Sequence, residues 1–205
     1  MSEAKRFSRE DLWAYAAVAL VVAIELVVLW RALNPGAGGE YRAYYIDKTT
    51  TCLPQPMTGE YKIGRIVSFR PDGVEAALEL KPCGWEGPAG DGTHSVGETS
   101  RLRFAVDPDA PPLDLVLELV AVDLPGPALQ RVRVSANGEG LGEISVPRDP
   151  ARRVSLPIPA AALAGRTVVD IALDFPDAVR AYPGAPDTRK RAIKLLAAGL
   201  VPAER

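Results

Sequence analysis

The chain begins with one long apolar run, and apolar and polar residues alternate in short segments through much of the remaining sequence. The run extends from Leu12 to Leu33 and contains only two charged residues, Glu25 and Arg31. A helix of that length, with a rise of 1.5 Å per residue, spans about 33 Å and can cross the hydrocarbon core of a bilayer. The pattern therefore predicts a single transmembrane helix at residues 12–33.

Beyond residue 40, alternation with a period of two predicts a domain that is mostly β. Apolar residues at alternate positions from Leu113 to Leu119 would share one face of a strand, as would those from Val169 to Phe175. One apolar face per sheet predicts two stacked antiparallel sheets. The segments with this pattern are EYRAYYI, EYKIGRIVSF, VEAALEL, SRLRFAV, LDLVLELVAV, LQRVRVSA, GEISV, RVSLPI, TVVDIALDF and RAIKLLAAGLV.

Glycine and proline separate these segments, as is typical of a β-sandwich with many tight turns. The chain contains 18 glycines and 19 prolines, a composition that favours short strands over helices. The dipeptide Asn137-Gly138 predicts a two-residue hairpin. PAAALAG at residues 159–165, with proline first and glycine last, predicts one helical turn.

Basic residues near the helix predict its orientation. Lys5, Arg6 and Arg9 precede the helix, whereas Arg31 and Arg42 are the first basic residues near and beyond its other end. Because positive charge favours the cytoplasmic side, the N-terminus is expected in the cytoplasm. The predicted organisation is a cytoplasmic tail at 1–11, a transmembrane helix at 12–33, a linker at 34–40 and an exported β-sandwich domain at 41–205.

Two alternatives remain for the apolar run. A cleaved signal peptide is disfavoured because the run exceeds the usual apolar region of about 7 to 15 residues, and RALNPGAGG offers no convincing A-x-A cleavage site. A buried helix of a soluble fold is disfavoured by the length of the run and by the glycine-rich sequence that follows it. An uncleaved membrane anchor is the favoured prediction.

Glu25 lies near the middle of the predicted helix. A charged residue there costs on the order of 2.5 to 3.5 kcal/mol on insertion scales and tends to face protein or water. We therefore expect Glu25 to contact an integral membrane partner. The alternative is a carboxyl group that desolvation keeps protonated in a helix apolar enough to insert alone.

Cys52 and Cys83 are the two cysteines, and both lie in the predicted exported part. An even number of cysteines in an oxidising compartment predicts one disulfide, with two buried thiols as the alternative. Two cysteines and a single histidine cannot complete a zinc site without carboxylates at unrecognisable spacing, so no metal or other cofactor is expected.

The charge balance gives little sign of a nucleic-acid partner. The formal net charge is −2 and the isoelectric point is near 5.6, so the chain lacks the basic field that attracts phosphate backbones. The basic cluster Arg189, Lys190, Arg191 and Lys194 is compatible with acidic ligands, but a solvated strand face is the simpler interpretation.

Catalytic motifs are not recognisable. The sequence contains no G-x-S-x-G elbow, P-loop or H-E-x-x-H motif. A Ser-His-Asp arrangement would have to use His94, the single histidine, and no recognisable nucleophile accompanies it. We therefore expect the protein not to be an enzyme, although scattered carboxylates leave a glycan-modifying enzyme as the least favoured alternative.

Three segments resemble a known family. GWEGPAGDGTHSVG is similar to the G-W-S-x-P-E-x-x-G-x-W-[ST]-x-G segment of jelly-roll, carbohydrate-binding-like domains attached to bacterial membrane glycosyltransferases and polysaccharide-assembly proteins. VRVSANGEGLGEI resembles the strand, N-G hairpin and strand of that family, and DTRKRAIKLLAAGLV resembles its closing D-x-R segment and final strand. The resemblance covers residues 61–201. The residues that match the first motif are Gly84, Trp85, Pro88, Gly92, Ser95 and Gly97.

Two departures from this motif concern sugar binding. Ala89 stands where the family has glutamate, and His94 stands where it has a second tryptophan. Sugar rings stack on flat apolar rings, so the surface that the resemblance implies lacks one platform. The residues that the resemblance implies for a glycan site are then Trp85, His94 and Tyr182. Packing in the core or a turn is the favoured interpretation for Trp85, and a turn or strand-entry position is favoured for His94.

The resemblance implies a jelly-roll-like β-sandwich in the periplasm, anchored in a bacterial inner membrane by a single helix. It implies a non-catalytic accessory subunit of cell-envelope polysaccharide synthesis or export. The expected partners are an integral membrane protein, for which a glycosyltransferase is one candidate, and a polysaccharide. The alternative is a structural subunit of an unrelated membrane complex that uses the sandwich for protein contacts alone.

Overall fold

The computed structural model describes residues 9–33, 42–46, 51, 61–180 and 189–203. The chain divides into two compact units, Met1–Glu40 and Tyr41–Arg205.

The first unit contains helix α1, Arg9–Leu33. Within this helix, Asp11–Leu33 is long and apolar enough to cross a membrane, with a mean hydropathy of 2.4. Its large apolar side chains are exposed, including Trp13 and Trp30 near the two ends. The predicted helix is confirmed, while its role as a permanent anchor stays a prediction, because length and composition alone do not distinguish an anchor from an N-terminal signal sequence.

The second unit is mostly β. Its described α-helices are the short α2, Val74–Leu80, and the single turn α3, Ala160–Leu163. Arg42–Ile46 forms a π-helical turn and Pro71–Gly73 a 3-10 turn. The described strands are β1 (Val67–Ser68), β2 (Trp85–Ala89), β3 (Gly92–Ser95), β4 (Thr99–Ala105), β5 (Leu113–Ala121), β6 (Leu129–Ala136), β7 (Glu139–Pro147), β8 (Arg152–Pro157), β9 (Val168–Asp174), β10 (Val179–Arg180), β11 (Lys190–Arg191) and β12 (Ile193–Pro202).

The strands form two main antiparallel sheets. One sheet has the order β2-β3-β12-β5-β8, and β1 also pairs with β12, whereas the other has the order β4-β9-β6-β7. Strands β10 and β11 form a separate two-stranded ribbon. The order β3-β12-β5-β8 in one sheet and β4-β9-β6-β7 in the other is that of a jelly roll, which contains two interleaved Greek keys. The predicted jelly-roll-like β-sandwich is therefore confirmed.

A single hydrophobic core fills the space between the two sheets. Alternate residues of β5 from Leu113 to Leu119 are at most 1% exposed, and Val169, Ile171 and Leu173 of β9 are fully buried. The same core cluster contains residues of both sheets. The predicted faces are correct, and together they explain why the sheets stack.

Two predicted connections are also correct. Asn137 and Gly138 join β6 to β7 with φ angles of 48° and 89°, the left-handed values that a two-residue turn between twisted strands requires. Residues 160–163 form α3 directly after Pro159.

Three predicted strands are wrong or much shorter than expected. Residues 42–46 form a π-helical turn, and residues 74–80 form α2. In α2 the buried residues are Ala77 and Leu80, three positions apart, so one helical face supplies the apolar contacts that alternation had suggested. Of residues 61–69, the described part of the third segment, only Val67–Ser68 is a strand.

Strands β2 and β3 were not predicted, because glycines interrupt their alternation. Gly87 and Gly92 both adopt positive φ angles, and the register between the two strands shifts after Glu86. This bulged hairpin forms one edge of the first sheet, and it carries most of the motif that suggested a glycan site.

Candidate functional site

A cleft of about 310 Å³ lies beside this edge. Its walls come from the 42–46 turn, the end of α2 with the residues that follow it, the start of β2, and Arg189. The residues that determine its chemistry are Tyr44, Tyr45, Lys81, Glu86 and Arg189.

The 42–46 turn is held against the sheet through Tyr44. The Tyr44 hydroxyl donates a hydrogen bond of 2.5 Å to the carbonyl oxygen of Trp85. The guanidinium of Arg189 lies 5.3 Å from the centroid of the Tyr44 ring, within the range of a cation–π interaction. Burial raises the pKa of Tyr44 above its usual range, so the phenol remains a neutral donor.

Tyr45 supplies an accessible aromatic surface. Its ring packs edge-on against that of Tyr44, with centroids 4.7 Å apart and planes at 73°. Tyr45 is 51% exposed, whereas Tyr44 is 7% exposed. The buried tyrosine therefore anchors the turn, and its neighbour presents a ring at the wall of the cleft.

Lys81 lies at the end of α2 and is 9% exposed. Its Nζ donates a hydrogen bond of 3.0 Å to the carbonyl oxygen of Gly87. Among the residues that the structure describes, no carboxylate lies within ion-pair distance of this ammonium group. Burial lowers the pKa of Lys81 to about 8, since desolvation disfavours the charged form.

Glu86 on β2 is paired with two arginines. It accepts a hydrogen bond from Nη2 of Arg191, and its other oxygen lies 3.9 Å from Nη2 of Arg189. The side chains of these arginines are 10% and 8% exposed. The prediction that the basic cluster forms a solvated strand face is thus wrong for Arg189 and Arg191, which are buried ion-pair partners.

The lysines of the same cluster also pair with carboxylates. Lys190 donates to Glu98, and Lys194 donates to Asp91. The cluster is therefore largely neutralised within the domain, and it does not form a basic surface of its own.

Trp85 lies in the core. It is 6% exposed, its ring centroid is 6.5 Å from that of Phe69, and its Nε1 donates a hydrogen bond of 2.6 Å to the carbonyl oxygen of Arg101. These contacts agree with the interpretation of Trp85 as a packing residue, and little of its ring is accessible to a sugar. Its predicted contact with a glycan stays a prediction.

His94 lies on β3 with its side chain half-buried. Its strand neighbours are Glu86 on one side and Lys194 on the other. Burial, followed by the charge of Lys194, lowers the pKa of His94 below its usual range. Trp85 pairs with Ser95, the next residue, so the rings of Trp85 and His94 lie on opposite faces of the sheet and do not form one platform.

Of the remaining predicted site residues, only Cys83 is placed at this cleft among those that the structure describes. Tyr182 and Cys52 lie outside the described residues, so the predicted disulfide stays a prediction. Cys83 lines the cleft and forms an isolated β-bridge with Arg101. Glu25 is exposed on α1, in the other unit, and its predicted membrane partner stays a prediction.

Sequence reasoning missed Tyr44, Tyr45, Lys81 and Glu86 as a group. Three separate segments contribute them, and two of those segments were predicted to be strands. The tyrosine pair in EYRAYYI was the available signal, but alternation assigned it to a sheet face. Within the described ranges, no group of three or more His, Cys, Asp or Glu side chains is arranged to hold a metal ion.

Comparisons with known proteins return structures but no sequence relatives. No protein-family model matches the chain, and no curated protein matches it. Among solved structures, the chain is similar to the CBM36-1 domain of a multidomain xylanase from the hindgut metagenome of Trinervitermes trinervoides, with 13% identity, 66% of this chain and 95% of that chain covered, and a TM-score of 0.39.

Two further solved structures are similar in the same way. The xylan-binding module CBM15 has 8% identity, 76% and 99% coverage of the two chains, and a TM-score of 0.41. A family 35 carbohydrate-binding module from an environmental isolate has 12% identity, 76% and 93% coverage, and a TM-score of 0.36. At such low similarity the jelly-roll assignment rests on the strand order of this chain itself.

Proposed function

We propose that this protein is a membrane-anchored, non-catalytic accessory subunit of cell-envelope polysaccharide synthesis or export, whose jelly-roll domain contacts the glycan. The observation that carries the proposal is the cleft beside β2. It combines the exposed ring of Tyr45 with hydrogen-bonding groups of Lys81, Glu86 and Arg189.

Sugar recognition needs both kinds of group. A pyranose presents an apolar C–H face that packs on an aromatic ring, and a rim of hydroxyls that exchange hydrogen bonds with charged or polar side chains. The wall formed by Tyr45 supports the first contact. The ion pair between Glu86 and Arg189 provides an acceptor and a donor for the second.

Helix α1 has a separate role in the proposal. It holds the domain at the periplasmic face of a bacterial inner membrane, with the N-terminus in the cytoplasm. Glu25 then contacts an integral membrane partner, such as a glycosyltransferase, because a carboxyl group at mid-helix is less costly against protein than against lipid.

A structural subunit without glycan binding is the second candidate. The burial of Trp85 favours it, because the tryptophan that the family motif places at the sugar site is here a core residue. In that case the cleft would receive a protein segment of the same membrane complex.

The glycan contact is tested with Tyr45→Ala in the full-length protein, purified in detergent. Migration through gels that contain envelope polysaccharides measures retention. Wild type should be retarded, and Tyr45→Ala should bind roughly 3- to 10-fold more weakly, since it loses one ring contact.

Leu129→Ala is the matched control, because Leu129 is 52% exposed on β6 and does not line the cleft. It should be retained like wild type. If no polysaccharide retards wild type, the glycan role is wrong, and the structural candidate takes its place.

A further inference from the structure

Lys81 has fewer partners than its burial requires. An ammonium group carries three donors, and among the described residues this one makes a single hydrogen bond, to the carbonyl oxygen of Gly87. Buried charges in proteins are normally paired with an opposite charge, because desolvation without such a partner is costly. The remaining donors are therefore available to an anion that enters the cleft.

The position of Lys81 defines where such an anion would bind. Lys81 lines the same cleft as Tyr45, between the end of α2 and the start of β2. Its hydrogen bond to Gly87 fixes one direction of the ammonium group, and the cleft is the solvent-accessible space beside it. A ligand in the cleft can therefore reach the ammonium group without displacing the core.

The ion pairs around the cleft favour Lys81 as the partner of a bound anion. The Glu86 carboxylate is paired with Arg191 and lies 3.9 Å from Arg189, so these charges already interact with one another. Lys81 lines the cleft without a carboxylate partner among the described residues. A carboxylate on a bound saccharide would supply the opposite charge that this buried ammonium group lacks.

We propose that the cleft binds a carboxylate-bearing saccharide, a uronic acid residue of a polysaccharide, with its carboxylate accepting hydrogen bonds from Nζ of Lys81 and its ring packed on Tyr45. This inference rests on the proposed glycan contact and specifies the class of glycan. Lys81 is then the residue that determines the preference for acidic sugars.

The test compares two forms of one polymer, polygalacturonate and its fully methyl-esterified form, which differ only in the carboxylate. Binding to the full-length protein in detergent is measured by calorimetry and by the rise in melting temperature. Wild type should bind polygalacturonate at least 10-fold more tightly than the ester. Lys81→Gln should bind the two forms equally, at the level of wild type with the ester.

Lys62→Gln is the matched control, because Lys62 is exposed and does not line the cleft. It should keep the preference of wild type, which separates a specific contact from a general loss of positive charge. Dextran sulfate distinguishes a carboxylate site from a site for any polyanion, and it should bind no more tightly than the ester.

The possible results separate the two proposals. Equal binding of both polymer forms by wild type, or an unchanged preference in Lys81→Gln, overturns the carboxylate site while the glycan contact stands. Failure of wild type to bind any neutral or acidic polysaccharide overturns both. The comparison of polygalacturonate with its methyl ester in wild type tests the carboxylate site even if Lys81→Gln does not fold.

Discussion

Lys81 combines a buried position with an ionisable group, and this combination has a thermodynamic cost. A lysine whose pKa is lower in the folded than in the unfolded state binds its proton more weakly when the protein folds. A protonated lysine at such a site therefore lowers the free energy of unfolding. In this protein the pKa of Lys81 falls from 10.5 to about 8, because burial removes water from the ammonium group.

The prediction concerns stability as a function of pH. Below pH 8 Lys81 is protonated in both states and the full penalty applies, roughly 3 kcal/mol. As pH rises from 8 to 10.5 the folded state loses its proton first, and the penalty disappears. Lys81→Met should therefore be more stable than wild type at pH 7, and the difference should shrink towards pH 10.5.

Denaturant unfolding of the two proteins at several pH values measures this difference. The tyrosines with raised pKa, Tyr44 and Tyr61, are present in both proteins, so their titration largely cancels in the comparison. A stability difference that stays constant from pH 7 to 10.5 would show that Lys81 has an ordinary pKa.

The burial of Trp85 could not be predicted from its sequence motif. Its place in a glycine-rich motif suggested a sugar contact, yet whether a ring faces ligand or core depends on which face of a strand it occupies. That face is set by the bulge after Glu86 and by the pairing of Trp85 with Ser95. Neither feature can be predicted from a segment in which glycines interrupt the alternation of polar and apolar residues.

Among the elements, the β6–β7 hairpin is joined to its surroundings through one side chain. Nδ2 of Asn137 donates hydrogen bonds to the carbonyl oxygens of Ala162 and Val168, at 2.7 and 3.2 Å. Its Oδ1 accepts one of 2.9 Å from the backbone nitrogen of Asp170. The tip of the hairpin is thereby linked to both α3 and β9.

Replacing Asn137 tests this linkage. Asn137→Ala loses three hydrogen bonds and places a Cβ-bearing residue without local side-chain support at a φ angle of 48°, so we expect a loss of roughly 2 to 4 kcal/mol in the free energy of unfolding. Asn137→Gly relieves the backbone strain and should lose less. Urea unfolding of both variants gives the two contributions, and equal stability of Asn137→Ala and wild type would contradict the linkage.

At the level of elements, the sequence was most informative for long strands with one buried face. The segments that became β4 to β9 and β12 alternate because they lie between the core and solvent or a covered outer face. The segments 42–46 and 74–80 were misassigned, because short apolar patterns fit a helical turn as well as a strand. These two segments and the residues that follow α2 form most of the cleft, so the fold was more predictable than the site.

For the whole molecule, the predicted disulfide would close a large loop around the cleft. Cys83 is held next to β4 by its bridge to Arg101. A bond to Cys52 would connect this position to the segment that follows the 42–46 turn. The disulfide would then cross-link the chain close to the cleft wall that carries Tyr44 and Tyr45 to the sandwich beside β4.

Reduction tests this prediction. Closing a loop of about 32 residues contributes roughly 3 to 4 kcal/mol in the chain-entropy model, so reductant should lower the melting temperature of wild type. Cys52→Ser and Cys83→Ser should both melt near the temperature of the reduced protein and should not respond to reductant. Two thiols that react with a thiol reagent in the non-reduced, denatured protein would disprove the bond.

Strand β12 is last in chain order but central in its sheet, with β5 on one side and β1 and β3 on the other. None of these three neighbours can complete its hydrogen-bonded ladder with β12 until residues 193–202 have been synthesised. Sheet closure is thus tied to long-range pairing, which folds slowly because loop entropy is lost before contacts form. A nascent chain that still lacks residues 193–202 therefore cannot close this sheet.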